Sequence, residues 1–279
     1  MIPKIIIHGG AGKRPRNKTR IEKVRKTIKE VLERSRPVLE ERSALEAVVH
    51  AVSLLEDNPL FNAGTGSVLQ ADGKARLTAS LMDGSTSKFS AVINVQNVKN
   101  PIRIAHLLQR ERYCVLAGRE ALTFARAKGF RYFNPVTAER LRDWKRSQGM
   151  CGTVGAVAID ARGNIAAGTS TGGVGNATPG RASDVASTCG NYADGRVGIS
   201  CTGAGESIVN LALAARIATR VIDGMKLQRA VEKSLKELER AGDKAGIVAV
   251  TKKGELFYFY NTEFMSYGFL EGDKLFTGK

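Results

Sequence analysis

The sequence predicts an α+β protein, a four-layer α-β-β-α sandwich of two antiparallel sheets covered by helices. Three observations lead there. Helical and strand segments come in blocks rather than in alternation, which argues against a doubly wound parallel sheet. The strands fall into hairpins joined by short polar turns, the signature of antiparallel pairing. Hydrophobic residues make up 43% of 279 positions, enough for one large domain (1–279) whose two sheets each need a covered outer face. Charged residues are 25%, an ordinary globular share, so disordered and fibrous classes are excluded.

Element by element, Lys4–Ile7 reads as a short buried strand that runs into the glycine-rich His8-Gly9-Gly10-Ala11-Gly12. Ile21, Val24, Ile28, Val31 and Leu32 recur at helical spacing and predict a helix over 17–34. Ser43 followed by Glu46 is a capping box, so a second helix starts there and runs to about Leu55. Ser67–Gln70 and Ala75–Met82, joined by Ala71-Asp72-Gly73-Lys74, read as a hairpin, and Phe89–Val95 as a further strand. Asn100-Pro101 opens a helix over 101–109, and another covers 113–128. Residues 131–152 lose periodicity and read as a mobile, solvated segment. Hairpin character then returns in Thr153–Ile159 with Ile165–Thr171. Val197–Cys201 is a strand leading through Thr202-Gly203-Ala204-Gly205 into a helix over 206–222, followed by one at about 226–241. Ile247–Thr251 and Leu256–Tyr260 close the chain as a hairpin. There is no internal repeat.

Lysine and arginine outnumber acids 43 to 27, for a net charge of +16. The excess sits in residues 13–42 and 99–146, which are helical, whereas the glycine-rich stretch 153–223 is neutral. No zinc finger, recognition helix or RNP-type aromatic motif accompanies it, so the charge reads as solvated helix faces, with no specific nucleic-acid partner. No apolar run has the length of a membrane span, and Ile5-Ile6-Ile7 is too short for a secretory core. Four cysteines (114, 151, 189, 201) without a CxxC pair fit a reduced, cytoplasmic protein.

Two catalytic patterns fail on their own terms. Gly168-Thr169-Ser170-Thr171-Gly172 matches GxSxG, but His8, His50 and His106 all precede Ser170, the wrong order for a hydrolase elbow. Gly172-Gly173-Val174-Gly175 lacks the third glycine of a dinucleotide loop. Cys151 has no local signature of a catalytic cysteine. A nucleophile that needs no histidine remains: a threonine with a free α-amine carries its own base, with a pKa of about 7.7–8.0. Exposing that amine inside a chain requires self-cleavage, and Gly152-Thr153, where a glycine meets a strand start, suits it.

Several segments together support that reading. Thr153-Val154-Gly155-Ala156, Gly168 to Gly173, Pro179-Gly180-Arg181 with Asp184, and Ser200-Cys201-Thr202-Gly203 resemble the plant-type asparaginase/isoaspartyl peptidase family of N-terminal-nucleophile hydrolases. The likeness extends to His8–Gly12, Leu55–Gly64 and Met82-Asp83-Gly84-Ser85. The resemblance implies a precursor cut into 1–152 and 153–279, with Thr153 as both self-cleaving residue and nucleophile. It implies that the Thr171 hydroxyl supports the nucleophile and that Thr202 and Gly203 form the oxyanion hole, in a loop completed by Ala204 and Gly205. Arg181 then takes the substrate α-carboxylate, and Asp184 its ammonium. Asn62 matches an asparagine near the nucleophile. Main-chain carbonyls of Leu55, Glu56, Asn58, Phe61, Ala63 and Thr65 match a loop that holds a structural sodium or potassium ion. The implied activity is hydrolysis of L-asparagine, β-aspartyl dipeptides or both, by a homodimer of α-β units without a catalytic cofactor.

Departures from the family pattern bear on the substrate. Thr78 replaces a usual acid, Ala245 and Phe264 replace customary glycines, and the segment after Asp184 is one residue short. Two alternatives stay open: a threonine endopeptidase of the same superfamily, and a catalytically idle, basic binding protein.

Overall fold

Ile5, Ile6 and Ile7 are fully buried in β1 (Lys4–Gly12) of the computed structural model, which describes residues 1–146 and 152–278. Alternate side chains of a strand point to opposite faces, so an all-apolar run needs cover on both. It has that cover: Ile5 and Ile7 join one hydrophobic cluster and Ile6 another.

β1 lies inside an eight-stranded sheet. The order is β12 (Lys274–Thr277), β11 (Phe264–Glu271), β1, β5 (Val154–Ile159), β6 (Ile165–Thr171), β2 (Leu77–Asp83), β3 (Lys88–Val95) and β4 (Val115–Ala117). A second sheet has the order β10 (Leu256–Tyr260), β9 (Ala245–Thr251), β8 (Val197–Gly203) and β7 (Asn191–Ala193). All pairs are antiparallel except β3 with β4, so the expectation of purely antiparallel sheets is corrected at that edge. β4 follows α3 (Pro101–Leu108), and the helix carries the chain back over the sheet to start β4 in the same direction as β3.

Three clusters make the core. The first joins Ile28 and Leu32 of α1 (Lys18–Glu41), Val48 and Val52 of α2 (Ala44–Asp57) and Ile102 of α3 to Ile5, Leu81 and Ala156 of the larger sheet. The second joins Ile217 of α7 (Leu213–Ile222) and Val231 and Leu235 of α8 (Leu227–Arg240) to Ile199 and Ile247 of the smaller sheet. The third draws on both sheets, with Ile6, Val157 and Ile165 against Val248 and Val250. The basic residues of α1 lie opposite its buried stripe, where Lys26–Glu30 and Lys29–Glu33 are exposed i,i+4 pairs. Among the described residues no helix is long and apolar enough to cross a membrane.

Several elements differ from the sequence reading. α1 continues through Pro37 to Glu41, because Ser35 and Leu39 extend its buried stripe. Ser67–Gln70 is not a strand. Residues 113–117 are not helical, and α4 (Gly118–Ala127) starts after β4. α5 (Ala138–Lys145), capped by Thr137, occupies a stretch expected to be mobile, and buries Arg140 with Nε donating to the Gly66 carbonyl at 2.6 Å. Residues 147–151, including Cys151, lie outside the described residues. The helix expected over 206–222 breaks into α6 (Gly205–Leu211) and α7 at Ala212, whose φ is +50°. The Cys189 and Thr188 carbonyls take the Ala214 and Ala215 N–H groups, replacing intrahelical acceptors at the break. β7, β11 and β12 were not expected.

The Ser43–Glu46 capping box is present as expected. At the other end of α2, the fully buried Glu56 side chain accepts from the Ile102 N–H at 3.1 Å and from Asn100 Nδ2 at 3.3 Å, so it serves the start of α3. Burial pushes its carboxyl from the ordinary 4.5 up to about 8, against those donors. A group whose folded pKa is raised binds more protons in the fold than in the unfolded chain between those two values, so stability declines with rising pH there. Thermal melts of Glu56→Gln between pH 5 and pH 8 are expected to show a flatter decline than the parent chain. An identical slope in both proteins would contradict the assignment.

Candidate active site

Thr153 precedes β5 at the middle of the larger sheet and is buried. β6 runs back beside it, with Val154 paired to Ser170, so Thr171 arrives at the same end. The Thr153 hydroxyl donates to Thr171 Oγ1 at 3.4 Å. The Thr171 hydroxyl in turn donates to the Gly152 carbonyl at 2.9 Å, and Asn62 Nδ2 donates to the same oxygen at 3.1 Å. The carbonyl just before the threonine thus receives two hydrogen bonds.

Asn62 is immobilised from several sides. Its Nδ2 also donates to the Gly173 carbonyl at 2.8 Å, its Oδ1 accepts from Val68 N–H, and its own carbonyl accepts from Gly172 N–H. Gly172 must lack a side chain, since a Cβ there would sit 2.5 Å from Asn62 Oδ1. Gly10, at φ +109°, lies over the junction, its Cβ position 3.5 Å from Gly152 Cα and Thr153 N.

Arg181 and Asp184 form a second group. A Cβ on Gly205 would lie 2.8 Å from both Arg181 Nη2 and Asp184 Oδ1, so the two charged ends converge over that glycine. Asp184 is buried, its Oδ1 accepting from Ser183 Oγ at 3.0 Å, while Oδ2 has no hydrogen-bond partner among the described residues. Burial pushes its carboxyl up to about 6, although Ser183 and Arg181 pull the other way. Arg181 gives Nε and Nη2 to the carboxylate of Glu206 at 2.6 and 2.8 Å, a bidentate pair. Its Nη1 instead lies toward Gly173, 3.7 Å from a Cβ built there. Gly173 therefore joins the groups, as its N–H donates to Thr171 Oγ1 and its carbonyl accepts from Asn62.

Thr202 and Gly203 end β8 on the opposing sheet. Ala11 N–H donates to Thr202 Oγ1 at 3.2 Å, which ties this loop to β1 next to Gly10. Gly203 has φ +144°, and a Cβ would come within 2.5 Å of the Lys244 carbonyl. Ala204 N–H is committed to that same carbonyl, and Gly205 begins α6.

The last turn of α2 and the loop after it offer carbonyl oxygens. Leu55, Glu56 and Asn58 carbonyls accept the N–H groups of Asn58, Thr65 and Phe61, and each keeps a second lone pair. Gly64 at φ +53° closes the turn against Glu56. Among the described residues no group of three or more His, Cys, Asp or Glu is placed to hold a metal.

Sequence reasoning missed two participants. Glu206 holds the Arg181 guanidinium, and no spacing signal marks it. His8 Nε2 and Ser200 Oγ are 2.8 Å apart, and Ser200 Oγ is 2.8 Å from Thr169 Oγ1, a fully buried chain beneath the start of β5. Burial pushes the imidazole down to about 3, against the Thr153 backbone, so His8 stays neutral. Its fixed place among histidines of this sequence, before Gly9-Gly10, was the available hint. Ser170 of the GxSxG match is buried in β6, where its side chain interacts with the Glu56 carboxyl.

Hydroxyl, amide and guanidinium groups gathered at a glycine–threonine junction are the arrangement of a hydrolytic enzyme centre. The family model described as asparaginase (Asparaginase_2) matches residues 1–151 and 146–277, and the chain belongs to this family. It is 41% identical to an isoaspartyl peptidase/L-asparaginase of Synechocystis sp. over 277 residues, covering 92% of this chain and 84% of that one. A plant-type L-asparaginase of Thermococcus kodakarensis is 39% identical, with 96% of each chain covered. An isoaspartyl peptidase/L-asparaginase of Danio rerio is 35% identical, covering 100% of this chain and 95% of its own.

Gly203→Ala is expected to destabilise the fold by at least ~1 kcal/mol, because both its φ and its space exclude a side chain. Urea unfolding measures this, and an unchanged midpoint would refute the constraint.

Proposed function

We propose that the chain is an amidohydrolase acting on L-asparagine and β-aspartyl dipeptides, through Thr153 exposed by self-cleavage. The doubly donated Gly152 carbonyl carries the proposal. Thr153 Oγ attacks the Gly152 carbonyl carbon, and the developing oxyanion is met by Asn62 Nδ2 and Thr171 Oγ1. The peptide C–N bond breaks as the proton given up by the Thr153 hydroxyl passes to the Thr153 nitrogen, leaving an ester on Oγ that water hydrolyses. Gly152 ends as a carboxylate and Thr153 as a free α-amine, which gives chains 1–152 and 153–279.

In turnover the α-amine takes the hydroxyl proton as Oγ attacks the β-carbonyl carbon. Thr202 and Gly203 stabilise this second oxyanion, from the opposing sheet. The amine hands its proton to departing ammonia or amino acid, and water then cleaves the β-aspartyl ester to release aspartate. Arg181 binds the α-carboxylate with the Nη1 side that Glu206 leaves open, and Asp184 Oδ1, which faces Gly205 beside Arg181, accepts the α-ammonium. Ala204 and Gly205 keep that pocket small. The carbonyls of Leu55, Glu56, Asn58, Phe61, Ala63 and Thr65 would hold a sodium or potassium ion, whose positive charge would fix the loop carrying Asn62. The three clusters support the α-β-β-α layer order, with helices packed against each sheet and one shared core between the sheets. We take the working unit to be a homodimer of α-β units.

Denaturing electrophoresis with N-terminal sequencing tests the proposal. Purified protein is expected to give two fragments, the smaller starting at Thr153. Thr153→Ala stays uncut and inactive, and Asn62→Ala is cut at least ~100-fold more slowly. A fully active preparation containing only intact chain would sink the mechanism.

The position of Asp184 also sets a pH dependence. Its empty-site pKa of about 6 means the carboxylate needed for the ammonium is lost below that value. The KM for L-asparagine is expected to rise as pH falls through 6, while a KM flat from pH 8 to pH 5 would exclude Asp184 from that role.

A further inference from the structure

A cavity of about 430 Å³ opens beside Gly152, and the steps above do not use it. Its walls include Gly10, Lys13, Phe61, Gly152 and Phe264, and no acidic residue lines it. None of Arg181, Asp184 and Gly205 borders it, so it lies apart from the head-group pair. It is nevertheless contiguous with the reaction centre. Gly10 covers the Gly152–Thr153 junction, and Ala11, also in the wall, donates to Thr202. Gly9 keeps it open, since a Cβ there would meet Phe61 and Ser266 side chains at 2.4 and 2.7 Å.

The cations of the wall are not equivalent. Arg20 already gives Nη1 to Glu139 at 3.0 Å and Nη2 to the Leu60 carbonyl at 3.3 Å. Lys13 is exposed and has no acidic partner among the described residues. One uncommitted ammonium above an aromatic wall is complementary to an amino acid whose carboxylate is free and whose side chain is apolar. A β-aspartyl dipeptide releases such a molecule.

Resting on the proposed function, we infer that this cavity is the leaving-group subsite: Lys13 takes the α-carboxylate of the departing amino acid, and Phe264 with Phe61 packs its side chain. The aspartyl head group occupies Arg181 and Asp184, the scissile carbonyl lies at Thr153, and the leaving residue extends past Gly10 into the cavity. Phe264, the ring found where a glycine is customary, narrows the cavity toward apolar side chains. L-Asparagine releases ammonia, which reaches neither residue.

The test compares kcat/KM of the mature enzyme for β-aspartyl-leucine, its C-terminal amide, β-aspartyl-glycine and L-asparagine. Lys13→Gln is expected to raise the KM for β-aspartyl-leucine about fivefold, as for loss of one partly exposed charge pair, and to leave the amide and asparagine within about twofold. Phe264→Gly is expected to reduce the preference for β-aspartyl-leucine over β-aspartyl-glycine about fivefold or more. Equal effects of Lys13→Gln on the acid and the amide, or an unchanged KM for both, would overturn the subsite. So would a parent enzyme that hydrolyses asparagine and leaves β-aspartyl-leucine intact. Failure to hydrolyse asparagine is a separate result, and it counts against the proposed function itself.

Discussion

The site is organised around one carbonyl. The Gly152 oxygen accepts one hydrogen bond from an amide and another from a hydroxyl, and both donors are tied to the backbone by further hydrogen bonds. Asn62 comes from the loop after α2 and Thr171 from the end of β6, so two distant segments must be in place before the oxygen is gripped. Fixed dipoles of this kind stabilise developing negative charge without having to reorient, which is why their rigidity matters more than their number. Gly172 lets backbone approach where a side chain would not fit, and Gly10 and Gly173 adopt the positive φ that side chains disfavour.

Charge is divided between the two halves of the site. Around Thr153 the groups are neutral: hydroxyls, an amide and an imidazole that burial keeps unprotonated. Around Gly205 they are ionic, with Arg181 held by Glu206 and Asp184 desolvated and half satisfied. A zwitterionic head group is complementary to the second half, and an uncharged amide to the first. Arg181 is bidentate on Glu206 and faces Asp184 across Gly205.

How much of this was legible varies with the kind of signal. β1, β5, β6 and the capped start of α2 follow from local pattern, because apolar runs and a Ser–Glu pair are read without tertiary context. α5 is hidden because its buried residue is Arg140, and hydropathy gives no sign that an arginine stem will be enclosed. Tyr113, Cys114 and Val115 are weak helix formers, and Val115–Ala117 pairs with β3 instead of extending α4. The break at Ala212 depends on carbonyls from the 188–189 loop, which no window around 212 contains. At the site, the hairpin of Thr153–Ile159 with Ile165–Thr171 was readable from local pattern, and the pairing of Thr171 with Thr153 in one site came from family likeness. Family likeness placed Asn62 near the nucleophile, and its partnership with Gly152, 90 residues away, came only with the structure. Glu206 was invisible for the same reason.

Strand order carries a mechanical corollary. In the larger sheet β1, which precedes residue 152, is flanked by β11 and β5, both of which follow it, while β6 is zipped to β2. A chain severed at Thr153 would therefore be laced together by ladders running across the wound on three seams. Scission there would free a terminus without releasing a piece, and only unfolding of the whole sheet would pull the halves apart.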